Sequence, residues 1–151
     1  MFDILFHIQL LGVVIGFANL IIVSMQKSSE NQKILMAAST CAFIGIIAYT
    51  FEMQATNVPE MLLAARFGYI GKSYVMVLLI LFECKYCNVK VSTVIIKGIF
   101  IFNTFMLLLV LTCPQHNFYY KNITLVNTGF FPHLQFDRGI GYYMFMTVTL
   151  V

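Results

Sequence analysis

Four stretches of this chain, residues 4–25, 34–52, 61–83 and 91–112, are long, apolar and sparsely charged. Each is close to the roughly 20 apolar residues with which a helix crosses about 30 Å of hydrocarbon. In lipid the backbone polar groups of such a segment must be satisfied within it, so the conformation that follows is helix. Composition agrees: of 151 residues, 60% are hydrophobic and 10% charged, against about 25% charged in a soluble domain. The chain cannot clothe a water-facing surface, and its solvent is lipid. Tryptophan is absent, but eight tyrosines can take the interfacial role. The net charge of +3 is small and tied to loops, which excludes a nucleic-acid partner.

The first run is too long for a signal-peptide core, and no basic segment precedes it; Asp3 has the wrong sign. It reads as a retained helix. "QKSSENQK" is a polar loop, "EMQATNVPE" a turn with Pro59 placed to start a helix, and "ECKYCNVK" the next loop. Residues 113–138 change texture, being polar-aromatic with two prolines. Alternation from Tyr119 to Val126, followed by "NTG" at 127–129, predicts a small β-hairpin outside the membrane. Residues 139–151 begin a fifth apolar run that rises only about 20 Å as a helix, short of a crossing. The expected architecture is therefore a multi-pass helix bundle, all-α apart from the hairpin, with the chain ending inside a helix.

Lysines give the orientation. Lys27 and Lys33 lie in the first loop, and Lys85, Lys90 and Lys97 in the third loop region. The second loop has no Lys or Arg, and the segment between helices four and five has Lys121 and Arg138. Positive residues collect on the cytoplasmic side, which puts the N-terminus, second loop and hairpin outside.

The opening of the third helix poses a question of its own, because "EMLLAARFGYIGKSYVMVLLILFE" carries Arg66 and Lys72 within its apolar part. A Lys at the centre of a membrane helix costs about 2.5–3.5 kcal/mol on insertion scales, so a partner or polar cavity is expected. Two readings stand. In one, Glu52 at the end of helix two pairs with Arg66 at the interface, and Lys72 snorkels to the headgroups. In the other, Glu52, Arg66, Tyr69 and Lys72 form an outward-opening pocket that holds an anionic or polar ligand.

Several strings add a resemblance. In "AYTFEMQATNVPEMLLAARFGYIGKSY" an acidic residue closes one helix, and a Tyr-hydrophobic-Gly string, Tyr69-Ile70-Gly71, sits in the next. "LTCPQHNFYYKNITLV" places a His and an aromatic pair before a strand, and "DRGIGYYMF" enters the fifth helix. Order and spacing resemble the N-terminal seven-transmembrane sensor region of bacterial histidine kinases and diguanylate cyclases, over its first four and a half helices. Lys72 departs from the pattern, where a less charged residue is expected; helices six and seven and an output domain are missing. The resemblance implies an input module in which an external or intramembrane signal shifts the bundle and a cytoplasmic kinase or cyclase reads the shift.

Smaller features have two readings each. His7 is a hydrogen-bonded bundle residue or a proton sensor. Gly12 and Gly16 form a G-x-x-x-G that packs inside the bundle or mediates a homodimer through helix one. Cys84 and Cys87 form a lone C-x-x-C without the second ligand pair that structural zinc needs, so no metal is expected. Asn122-Ile123-Thr124 matches a glycosylation sequon, unused in a bacterial chain. The aromatic group Phe118, Tyr119, Tyr120, Phe130 and Phe131 caps the bundle at headgroup level or lines an entrance. No phosphate loop, catalytic triad or metal-spaced His/Cys set occurs, so neither catalysis nor a cofactor is expected of this chain. A transporter component would show broken helices in matched halves, and no pseudo-repeat is present. A small stand-alone membrane protein would cap its last helix with polar residues, whereas this chain ends "MTVTLV".

Overall fold

A computed structural model of the protein describes residues 2–113, 115–116, 118–126 and 133–150. The expected turn at 127–129, and Phe130 and Phe131 of the aromatic group, lie outside the described residues. The chain runs α1 (Phe2–Met25), α2 (Glu30–Gln54), α3 (Val58–Tyr86), α4 (Thr93–Leu111), β1 (Tyr120–Val126), β2 (His133–Arg138) and α5 (Ile140–Leu150). Helices α1 to α4 are long and apolar enough to cross a membrane. The architecture is a helix bundle with one two-stranded antiparallel sheet, as composition and periodicity require.

Helix starts are set by caps rather than by hydropathy. Ser29 Oγ accepts from the Gln32 amide, so α2 begins at Glu30, ahead of its apolar run. Asn57 Oδ1 accepts from the Glu60 amide, and the Glu60 carboxylate takes the Thr56 amide in return. These bonds satisfy donors that a first helical turn leaves orphaned. Pro59 thus sits inside the first turn of α3, where its missing N–H costs nothing.

The closest contact is between α2 and α3, and small residues make it. A Cβ added to Gly71 would lie 2.1 Å from the Cys41 carbonyl oxygen, and one added to Gly68 would lie 3.1 Å from Ala48 Cβ. Without a hydrophobic drive between helices in lipid, such backbone approach and interhelical hydrogen bonds supply the cohesion. Helix α1 joins α2 through polar groups: Gln9 Nε2 donates to Ile46 O and Thr50 Oγ1, and Asn19 Nδ2 donates to Ser39 Oγ. Gly16 lies against Phe43 and Ile46 of α2, whereas the space beside Gly12 is open. Helix α4 joins α3 where Tyr74 stacks on Phe100 and bonds Thr104 at 2.8 Å. Ile4, Val14, Leu63, Val94 and Ile101 point away from these contacts and are exposed, as lipid-facing residues must be.

The hairpin folds back onto the ends of α3, α4 and α5. Its register slips between Lys121 and Thr124, where Asn122 takes a left-handed φ of 49° and donates to Asp137 Oδ2. Asn tolerates that conformation better than most residues. The Gly139 and Gly141 amides donate to the Tyr119 and Phe118 carbonyls. A Cβ on Gly139 would lie 2.1 Å from the Phe118 oxygen, so the strand entry can meet the start of α5 only at glycine. At the other end of the bundle Lys85 of α3 pairs with Glu30 of α2 at 2.5 Å, both exposed. Such exposed pairs contribute little.

Candidate functional site

Tyr69 is the hub of the hairpin end. Its ring makes edge-on contacts with Tyr119, Tyr120 and Phe145, at centroid distances of 5.7, 6.4 and 6.1 Å. Its hydroxyl lies 2.5 Å from that of Tyr120. Tyr120 in turn packs on Phe136 of β2, and Tyr119 on Tyr142 of α5. One side chain of a membrane helix is thereby tied to both the hairpin and α5. Cys113, fully buried, and Met106 and Val110 of α4 floor the same cluster. Burial, reinforced by the neighbouring Tyr69, pushes the Tyr119 and Tyr120 hydroxyls well above the ordinary phenol range, so both stay protonated.

Lys72 stands one turn further along α3, with its Nζ 5.7 Å from the Tyr69 ring centroid, a cation–π arrangement. The side chain runs back beside Gly68; helical side chains lean toward the N-terminus in this way. The Glu52–Arg66 interfacial pair does not form: among the described residues the ion pair is Lys85–Glu30. Glu52, half-buried near the end of α2, makes no ion pair with Lys72 either. Arg66 is half-buried, and its Nε is enclosed without a hydrogen-bond partner. Of the four candidates, Lys72 and Tyr69 are brought together; Arg66 and Glu52 join neither by a hydrogen bond or ion pair.

Two crevices meet at Lys72. One, of about 340 Å³, opens between α1, α2 and α3 past Gln9, Gly45 and Tyr49. The other, of about 530 Å³, lies between α3 and α4, with Thr147 of α5 also on its lining, and includes Ser73 and Asn103. A cation at the junction of two apolar crevices can hold an anion or a polar group, since the low dielectric strengthens the attraction.

Sequence reasoning fixed on charges and so passed over Ser73, Asn103 and Gln9. The signal for Asn103 was available, because a polar residue inside an apolar span is a candidate for function by itself. His7 stands on the exposed face of α1, where its Nδ1 meets the Asp3 carbonyl at 2.5 Å. The four cysteines are free. Cys41 borders the smaller crevice and Cys84 the larger, and Cys113 is in the aromatic cluster.

Comparison with known proteins gives one result that bears on this geometry. The family model described as the N-terminal 7TM region of histidine kinase matches residues 8–151. No curated protein and no solved structure matches the chain.

Proposed function

The chain belongs to the family of N-terminal seven-transmembrane regions of histidine kinases, and from that premise we propose how it senses. It is a membrane-embedded sensory region, and its work is to pass an external or intramembrane signal to a cytoplasmic kinase domain. Glu52, Arg66, Tyr69 and Lys72 form the receiving site. With the site empty, the Lys72 ammonium rests over the Tyr69 ring. An arriving anionic or polar group takes that charge over. The observation that carries this reading is the sequence of contacts from Lys72 to the Tyr69 ring to the Tyr120 hydroxyl. Through it a change at the cation reaches the hairpin and, by way of Phe145, α5. A ligand shifts the equilibrium only by its differential affinity for the two arrangements, and the Tyr69–Tyr120 bond is what differs between them.

Orientation belongs to the same proposal. Lys27, Lys33, Lys85, Lys90 and Lys97 gather at the end away from the hairpin, which supports a cytoplasmic face there and an outer N-terminus and hairpin. The family match supports a kinase as the output; a diguanylate cyclase would ask nothing different of these residues.

The test is made in the receptor that carries this region. Lys72→Met and Tyr69→Phe are expected to move kinase output in cells in the same direction, at unchanged membrane abundance. Output equal to wild type in both variants under every growth condition tried would end the reading. A small tag at Met1 should be reached by an impermeant label on intact cells, and a shielded tag would reverse the orientation.

A further inference from the structure

The crevice between α3 and α4 is polar at one end and apolar at the other. At the Lys72 end stand Ser73 and Asn103, each only 3% exposed. Ser73 Oγ is enclosed without a hydrogen-bond partner. Beyond them the walls are Val77, Ile80, Ile96 and Ile99, as far as Cys84. From Ser73 to Cys84 a helix rises about 16 Å. The volume, about 530 Å³, falls within the range of small-molecule sites, roughly 300–1,000 Å³.

We infer that this crevice takes an amphipathic anion, a long-chain carboxylate, with its head group on Lys72, Ser73 and Asn103 and its tail along α3 and α4 toward Cys84. A hydroxyl buried in apolar surroundings without a partner is costly, so the polar end calls for a polar occupant. The ammonium of Lys72 makes that occupant an anion, and the apolar walls that α3 and α4 supply make the remainder a hydrocarbon chain. The groove runs along two membrane-spanning helices, so entry is from the membrane. A neighbouring helix could fill the apolar part, but it would have to bring an acidic side chain to the level of Lys72. The inference rests on the proposed function in taking Lys72 as the ligand-holding cation, and places the ligand in the crevice beside it.

The probe is a diazirine-tagged palmitic acid, photolysed with the full chain in nanodiscs. Saturable labelling of α3 and α4 peptides is expected, displaced by palmitic acid and much less by hexadecanol. Lys72→Met should weaken labelling about tenfold, the factor that 1.4 kcal/mol represents. Ser73→Ala and Asn103→Leu should weaken it less. Thermal unfolding of each variant, matched to wild type, separates lost binding from lost fold. Unsaturable label, or equal displacement by the alcohol, would reduce the groove to annular lipid contact and overturn the inference. Label that never reaches α3 and α4 would mean that a helix covers the groove, and would overturn it as well. The signalling proposal fails separately: Lys72→Met and Tyr69→Phe receptors that both keep wild-type kinase output, while Lys72→Met loses the label, break that proposal and leave this one standing.

Discussion

Tyr69 of α3 and Tyr120 of β1 meet hydroxyl to hydroxyl at 2.5 Å, across 51 residues of chain. The bond is part-buried within an aromatic cluster, where neither oxygen has water as a ready substitute. It joins the membrane helix that bears Lys72 to the hairpin that meets α5. Because α3 otherwise touches the hairpin mainly through rings, this bond also fixes how the two are oriented.

That arrangement predicts a non-additive mutant cycle. Tyr69→Phe or Tyr120→Phe alone leaves the partner hydroxyl buried and unpaired, at a cost of about 1–3 kcal/mol. The double variant removes both hydroxyls and should be no less stable than the worse single one. Denaturant unfolding in detergent micelles measures all four corners. Additive losses would mean that the hydroxyls do not act on one another.

Gly71 and Gly12 should respond oppositely to alanine. At Gly71 the new Cβ would stand 2.1 Å from the Cys41 carbonyl oxygen, so α2 and α3 must separate. Overpacking of this kind costs about 1–3 kcal/mol. At Gly12 nothing lies within 4 Å, and alanine should be neutral or mildly stabilising, since it is the better helix former by about 1 kcal/mol. Unfolding curves of the two variants decide this. If α1 is also a dimer contact, Gly12→Leu should lower disulfide crosslinking between cysteines placed on that face without changing the unfolding midpoint.

The spans were legible in the sequence because the physics that makes them is composition over twenty residues. Apolar runs of that length have one outcome in lipid, and the caps at Ser29 and Asn57 moved their ends by only a turn or so. The hairpin was legible from alternation at 119–126. The partners of single side chains were not. Arg66 and Glu52 are one short loop apart in sequence, yet they form no pair, and Lys72 turns back onto the Tyr69 ring instead. Tyr69 stood out as part of a local string, but its bond to Tyr120 spans the whole of α4, and no local pattern encodes it. Gly16 and Gly12 read alike in a G-x-x-x-G; the azimuth of α1 against α2 separates them, and one chain's sequence does not carry that angle.

Gly139→Ala should release the hairpin from α5. The added Cβ would meet the Phe118 carbonyl at 2.1 Å, and the Gly139 amide that now bonds the Tyr119 carbonyl would be pulled away. Since the four long helices do not depend on this contact, helicity should persist while the hairpin opens. Limited proteolysis in nanodiscs is the measurement: cleavage between residues 113 and 138 should quicken several-fold, with far-UV circular dichroism unchanged. Cleavage at the wild-type rate would show that the aromatic cluster holds the hairpin without the glycine contact.

High pH should dissolve the aromatic cluster, and the sign follows from the buried phenols. Tyr119 and Tyr120 are held protonated in the folded state by burial, while in the unfolded chain each ionises near pH 10. A group whose folded pKa is raised contributes stability in full below its unfolded pKa and loses it as pH climbs beyond. Stability should therefore be unaffected by these two groups from neutrality to about pH 9, then fall by up to about 1.4 kcal/mol per pH unit for each above pH 10. Replacing both by phenylalanine removes that titration. The unfolding midpoint of the Tyr119→Phe, Tyr120→Phe variant should thus start lower at neutral pH and decline less steeply above pH 10 than that of the wild type. Parallel decline of the two proteins would place the alkaline sensitivity in other tyrosines or in the lysines, and would mean that water reaches these hydroxyls in the folded state.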